Sequence, residues 1–323
     1  MFRPTPPISF VRALILAILP IAASAQPSWP EKPITIIVPF PPGGGTDLVV
    51  RALQPALGSR LHQTVVIQNA GGAGGTVGSG QAARARPDGY TALAVTTSTT
   101  ALSAHLYKNL PFDPARDFEY VGFIGASPYV LVARPALPAQ DLAALKQALA
   151  ARGSGSYASV GAGTVSHLLG EMFRKDAGLN LTHVPYRGAA PAYTDLIGGQ
   201  VDIMFDNPVG LAPFVRAGKV TAVATTGKTP ILPDVPTFAS LGMPAYTQTL
   251  WYGLAFPKGT PADVVTRMNA ALNAALRDAG VAADLAAKGV DVRPDTPRAL
   301  SETVVHDTAF WGKLIVSTGV RFD

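Results

Sequence analysis

The sequence is 323 residues long, with 48% hydrophobic and 15% charged residues, so it can bury a sizeable core and global disorder is excluded. Its length suits one large domain or two of about 100–200 residues each. The formal net charge is +5, Arg3 and Arg12 sit in an apparent leader, and no basic run follows, which argues against a nucleic-acid partner.

Residues 1–25 have the three parts of a secretory signal. Arg3 and Arg12 give a positive start, Ala13 to Ala22 are almost wholly apolar, and Ala23-Ser24-Ala25 is a small-x-small cleavage site. The apolar part is about half the length of a spanning helix and is interrupted by Pro20, so a membrane anchor is disfavoured. There is no cysteine for lipidation, disulfides or thiolate metal ligands. The expectation is cleavage after Ala25 and a soluble protein exported to the periplasm.

From Ile34 onward, short β-rich runs alternate with amphipathic helical stretches, which predicts an α/β fold of mainly parallel sheets flanked by helices. Ile34–Val38 reads as a strand buried on both faces, followed by a helix at Asp47–Leu61. Val65–Gln68, a helix to about Ala85 and the strand Tyr90–Val95 repeat the unit. The extended segment Phe118–Arg134 is long enough to pass between two lobes. A second set follows, with helices at Ala139–Ala151, Thr164–Ala177, Ala189–Gly198 and Val209–Ala217. Strands at Ser156–Val160, Thr182–Pro185, Val201–Phe205 and Val220–Thr225 alternate with them. Leu250–Phe256 reads as a strand returning to the first lobe, and helices at Pro261–Asp278 and Pro297–Thr318 end the chain. The expected division is residues 26–126 plus 248–323 for lobe one and 127–247 for lobe two. Two crossings between lobes are the hinge geometry of a protein that closes on a ligand, here near residues 125–128 and 246–250.

Four Gly-bearing loops sit between a strand end and a helix start. The first, Pro39–Asp47, includes Phe40, Gly43, Gly44, Thr46 and Asp47. Its backbone N–H groups and the helix behind it suit a carboxylate, while Asp47 reads equally as a helix cap. Any side chain at Gly44 should block the approach of a ligand or forbid the required dihedrals. The second loop, Asn69–Thr76, has the same placement and lacks a dinucleotide fingerprint. Ser156–Thr164, with Gly161 and Thr164, and Pro185–Ala190 supply two more. Arg187 is the one cation in these loops, placed either to meet a ligand or to brace the lobes. His167 reads as a packing or capping residue with ligand contact as the alternative, and Asp206 shares a strand face with Asp202. No G-x-S-x-G elbow and no H-E-x-x-H spacing occurs.

These loops, taken in order with Trp29-Pro30-Glu31-Lys32-Pro33, Arg86-Pro87-Asp88-Gly89-Tyr90, Leu110-Pro111-Phe112-Asp113-Pro114, Val184-Pro185-Tyr186-Arg187-Gly188 and Trp251-Tyr252-Gly253-Leu254, resemble a known family. It is the periplasmic substrate-binding proteins of tripartite tricarboxylate transporters, of the Bug (Bordetella uptake gene) type. The resemblance spans the whole chain after the leader. It implies a two-lobed Venus-flytrap fold and a ligand carboxylate held by the first loop and the Tyr-Arg-Gly loop through backbone groups and waters. Carried over by position, it implicates Phe40, Gly43, Gly44, Thr46 and Asp47 with Tyr186, Arg187, Gly188 and Ala189. Ser98 and Thr99 fall at small hydroxyl positions near the pocket, and Asp206 at an acidic position at its far end. Pro41-Pro42 and Asn207-Pro208 depart from the pattern. The implied partners are a small organic acid or amide and the permease subunits of a transporter or a sensor kinase, with no cofactor and no chemistry performed. Separately, the 15% charge and the lack of a heptad or exposed apolar repeat predict a monomer that needs no metal. The alternative is a secreted hydrolase or transferase using Asp47, His167 or Asp206.

Overall fold

The computed structural model describes residues 1–2 and 29–318, so the leader and its cleavage point lie outside the described residues. The first sheet starts as expected, with β1 (Ile34–Val38), α1 (Gly45–Leu61), β2 (Val65–Asn69), α2 (Thr76–Ala83), β3 (Thr91–Thr96) and the single turn α3 (Ser103–Leu106). β1 buries both of its faces, which is why it carries no polar alternation beyond Thr35. α1 buries Val49, Val50, Leu53, Leu57 and Leu61, a stripe at helical spacing. Each fully buried leucine contributes roughly 1.5–3 kcal/mol before chain entropy is subtracted.

The chain then crosses. β4 (Phe118–Pro128) belongs to the first sheet, and after Tyr129 the chain enters the second as β5 (Val130–Ala133). The second lobe adds α4 (Leu142–Ala151), β6 (Gly155–Ser159), α5 (Val165–Asp176), β7 (Leu181–Pro185), α6 (Ala189–Ile197), β8 (Ile203–Asp206), α7 (Pro208–Arg216) and β9 (Thr221–Thr225). β10 (Thr249–Pro257) returns and pairs with β4 along its whole length, from Thr249 opposite Pro128 to Pro257 opposite Phe118. α8 (Ala262–Leu276), α9 (Ala279–Ala287), β11 (Asp291–Val292) and α10 (Pro297–Thr318) complete the first lobe. Among the described residues, no helix is long and apolar enough to cross a membrane.

The two-lobed α/β fold is as expected. The sheet orders are β11-β4-β10-β3-β1-β2 and β7-β6-β8-β5-β9, and most strands of each sheet run the same way. β10 is antiparallel to β3 and β4, and β5 is antiparallel to β8 and β9. The cause is the double crossing: a strand that leaves a lobe and one that returns must run in opposite directions when they lie side by side. α4 starts at Leu142, later than expected, because Asp141 caps it by accepting from the Ala144 N–H.

Behind the second sheet lies a stack of rings. His167 of α5 lies over His183 of β7 with centroids 3.7 Å apart, and His183 lies over Tyr157 of β6 at 4.8 Å. Burial, then the neighbouring His183, push His167 down to about 3, and burial pushes His183 down to about 4. Both are depressed bases, so the unfolded chain binds more protons than the folded one below the ordinary histidine value. Stability should fall as pH drops from about 6.5 toward the two lowered values. A His167→Phe, His183→Phe double variant should lose less stability over that range when urea midpoints are compared. Equal slopes would contradict the assignment.

Candidate functional site

Three helix starts converge on one cavity. α1 follows β1 through the first Gly-rich loop, α6 follows β7 through Tyr186-Arg187-Gly188, and α7 follows β8 directly. The cavity measures about 40 Å³ and is walled by Gly44, Gly45 and Thr46 at the start of α1, Gly188 and Ala189 at α6, and Asp206 and Asn207 at α7. Phe40, Pro41, Ser98, Tyr129, Val160 and Leu250 close the remaining sides. A single water needs about 10–15 Å³ on this measure, so the occupant of the closed cleft is a small molecule.

α4, α5 and α9 carry side-chain caps from Asp141, Thr164 and Asp278. α1, α6 and α7 have none. α2, α3 and α8 start away from this cavity and also lack side-chain caps, so the absence of a cap alone marks no site. First-turn N–H groups lack intrahelical partners and concentrate the positive end of the helix dipole. No Lys, Arg or His lines the cavity, so its potential donors are backbone N–H groups and hydroxyls, beside the Asp206 carboxylate.

Asp47 holds the first of these starts in shape. It is the third residue of α1, not the cap; Gly44 holds the cap position. Its carboxylate accepts from the Gly43 N–H at 2.9 Å, from Asn69 Nδ2 at 2.9 Å and from Arg51 Nε. Burial pushes the Asp47 carboxyl up, but the hydrogen bonds from Arg51, Gly43 and Asn69 outweigh it and hold the pKa below the usual value. Gly43 is the residue with φ of +84°, whereas Gly44 is extended at φ −82°. The dihedral reason for Gly44 is therefore corrected. A Cβ there would meet Ala189 at 3.6 Å, ordinary contact, and larger side chains would fill the cleft.

Asp206 is fully enclosed. Tyr193 donates to its Oδ2 at 2.6 Å, and the Asn207 N–H and Nδ2 donate to Oδ1 at 2.8 and 2.9 Å. Burial raises its pKa to about 6 against these hydrogen bonds. Toward the mouth, a second cavity of about 190 Å³ shares Phe40, Pro41, Val160 and Gly188 with the first and adds Gly161, Tyr186 and Arg187. Tyr186 turns its hydroxyl to Asp195 at 2.6 Å. The lobes touch around the cleft: Tyr107 Oη lies 2.9 Å from the carbonyls of both Ala73 and Ala162, and the Val165 N–H donates to Ser98 at 3.3 Å.

Of the expected site residues, Phe40, Gly44, Thr46, Ser98, Gly188, Ala189 and Asp206 line the inner cavity. Gly161, Tyr186 and Arg187 line the outer one. Gly43, Asp47, Asn69, Thr99, Thr164 and His167 line neither and stand behind the walls. Gly43 and Asn69 are tied to Asp47, and Thr99 closes the turn after β3 on Thr96. Thr164 caps α5, and His167 is in the ring stack. The residues missed are Pro41, Gly45, Tyr129, Val160, Asn207 and Leu250. Tyr129 and Leu250 sit at the two lobe crossings, a signal present in the sequence. Pro41 and Asn207 were visible only as departures from the family pattern.

Among the described residues a nucleophile and a base meet at Ser159 Oγ and His183 Nε2, 2.7 Å apart. Ser159 is fully buried, is bonded to Gly161 and lines neither cavity. Among the described residues no three potential ligands cluster to hold a metal ion. Removing the Asp47 acceptor should loosen the first loop. Asp47→Ala should cost about 1–3 kcal/mol in urea unfolding, and Asp47→Asn less, since one oxygen remains to accept. Unchanged stability in Asp47→Ala would show that the loop holds its shape without this carboxylate.

A family model described as tripartite tricarboxylate transporter family receptor matches residues 49–320. Protein BugT of Bordetella pertussis is 34% identical over 316 residues, 96% of this chain and 97% of BugT. The solved structure of periplasmic binding protein BugD matches with a TM-score of 0.88 at 36% identity, covering 91% of this chain and 99% of BugD. MatC from Rhodopseudomonas palustris, solved with bound malate, gives a TM-score of 0.85 at 33% identity over 89% of this chain and 100% of MatC. Sequence and fold agree along nearly the whole length. The chain belongs to the tripartite tricarboxylate transporter receptor family.

Proposed function

We propose that this protein is a periplasmic solute-binding protein that captures a small carboxylate-bearing solute, or a related amide, between its lobes. The observation that carries this reading is the convergence of two uncapped helix starts, those of α1 and α6, on a cavity without a cationic side chain. Each such terminus favours an anion by about 0.3–2 kcal/mol, more as the cleft closes and water leaves. Malate bound in MatC supports a carboxylate as the class of ligand. The same backbone donors serve an uncharged amide oxygen more weakly.

On this reading the chain is exported, cleaved after Ala25, and works as a monomer with no metal or cofactor. Residues 26–126 with 248–323 form one rigid lobe and residues 127–247 the other, hinged near 125–128 and 246–250. The ligand goes to the permease subunits of a transporter or is presented to a sensor kinase. A hydrolase reading finds little support, because the Ser159–His183 pair faces neither cavity.

Two measurements test this. A thermal-shift screen of small acids and amides should find at least one that raises the melting temperature in proportion to log concentration. Small-angle scattering should then show a smaller radius of gyration at saturation, and an unchanged radius with tight binding would contradict hinge closure. Gly44→Val should weaken that ligand by about one to two orders of magnitude, roughly 1.4–2.8 kcal/mol. Gly44 has an ordinary extended backbone but sits at the N-cap of α1, where Val is a poorer choice, so the ligand-free melting temperature should fall only modestly. Normal binding by Gly44→Val would remove the first loop from the site.

A further inference from the structure

The lining of the inner cavity is mixed in chemistry. The starts of α1 and α6 present donors. The start of α7 presents acceptors, the Asp206 carboxylate and the side-chain oxygen of Asn207. The amide of Asn207 is oriented by Asp206, since only its NH₂ group can donate to a carboxylate oxygen, here at 2.9 Å. That leaves Asn207 Oδ1 facing elsewhere. It is buried without a hydrogen-bond partner, in a residue only 3% exposed. It lies against the start of α1, where a Cβ on Gly45 would be 2.4 Å away. Asp206 receives three donors, and a carboxylate offers about four acceptor positions, so one remains.

We propose that the Asp206–Asn207 side of the cleft selects a solute carrying a hydrogen-bond donor there, such as an amide, a hydroxyl or a protonated carboxyl, and discriminates against a second ionised carboxylate. This rests on the carboxylate reading above and names the solute more narrowly. An ionised group placed beside Asp206 would meet a like charge in a water-poor pocket, with an unpaired carbonyl oxygen next to it. Like charges juxtaposed at a buried interface cost several kcal/mol, whereas a donor satisfies the orphaned acceptors.

The groups around Asp206 do not offset this. Tyr193 of α6 already donates to it, and the other titratable neighbours are Tyr129 between β4 and β5 and Tyr252 of β10. All three are phenols kept neutral by burial, so no cation balances the carboxylate. Tyr252 Oη is buried without a partner and supplies at most one donor in competition with Asp206. Burial raises Asp206 to about 6, so the discrimination belongs to the pH range above that value and relaxes below it, where the carboxyl itself becomes a donor.

Matched pairs test the idea by calorimetry on the wild-type protein at about pH 8, where Asp206 is ionised. The probes are malonate, succinate, glutarate and adipate, each against its monoamide. The monoamide of the best-fitting length should bind at least about tenfold tighter than its diacid. In Asp206→Asn the gap should shrink or invert, with the melting temperature confirming a folded variant; if that variant does not fold, the wild-type pairs decide alone. A wild-type protein that binds a diacid as tightly as its monoamide would overturn this proposal and leave the carboxylate reading standing. Binding of neither member of any pair would remove both.

Discussion

A helix start that faces a cleft without a capping side chain leaves its first N–H groups in need of an acceptor. In this protein two such starts, at α1 and α6, line one space between the two lobes. Their N–H groups there need water or another acceptor. The glycines follow from this requirement. Gly43 turns the chain at positive φ ahead of α1, and Gly188 does so ahead of α6. A Cβ on Gly188 would fall 2.8 Å from Pro41 of the opposite lobe, so close approach of the lobes depends on its absence.

The double crossing supplies the second constraint. β4 and β10 pair along their full lengths and hold the two sheets at a fixed junction, with Tyr129 at one crossing and Leu250 at the other. At that junction the Tyr129 N–H donates to Thr226 Oγ1 at 2.9 Å, and Thr226 in turn donates to the Gln248 carbonyl at 2.6 Å. The segments that cross between the lobes thus also carry part of the cavity wall.

Much of this was legible in the sequence because it rests on local patterns. Buried strands such as Ile34–Val38, Gly-rich turns after them, and the long segment through Phe118–Arg134 each announce themselves by composition and period. The reversed direction of β10 was not legible, because its pairing with β4 joins segments more than a hundred residues apart. At the site, the loops were found but the division of labour within them was not. Asp47 reads as a ligand or a cap, yet it is the internal acceptor that shapes the loop, a role that depends on Asn69 and Arg51 arriving from elsewhere. His167 carries no mark in the sequence of the His183 ring it stacks upon. Asn207 looked like a departure from the family pattern, and its unpaired oxygen became visible only once α7 was packed against α1.

The most direct test of the anion cradle reads the backbone amides themselves. The isotope-labelled mature protein can be titrated with its tightest-binding small acid while amide resonances are followed by nuclear magnetic resonance. The amide protons of Gly45, Thr46 and Ala189 should move downfield and become protected from exchange, as donors to a carboxylate do. Saturating binding that left those amides unmoved, while side-chain signals at Arg187 or the buried histidines shifted, would contradict a site built from helix starts.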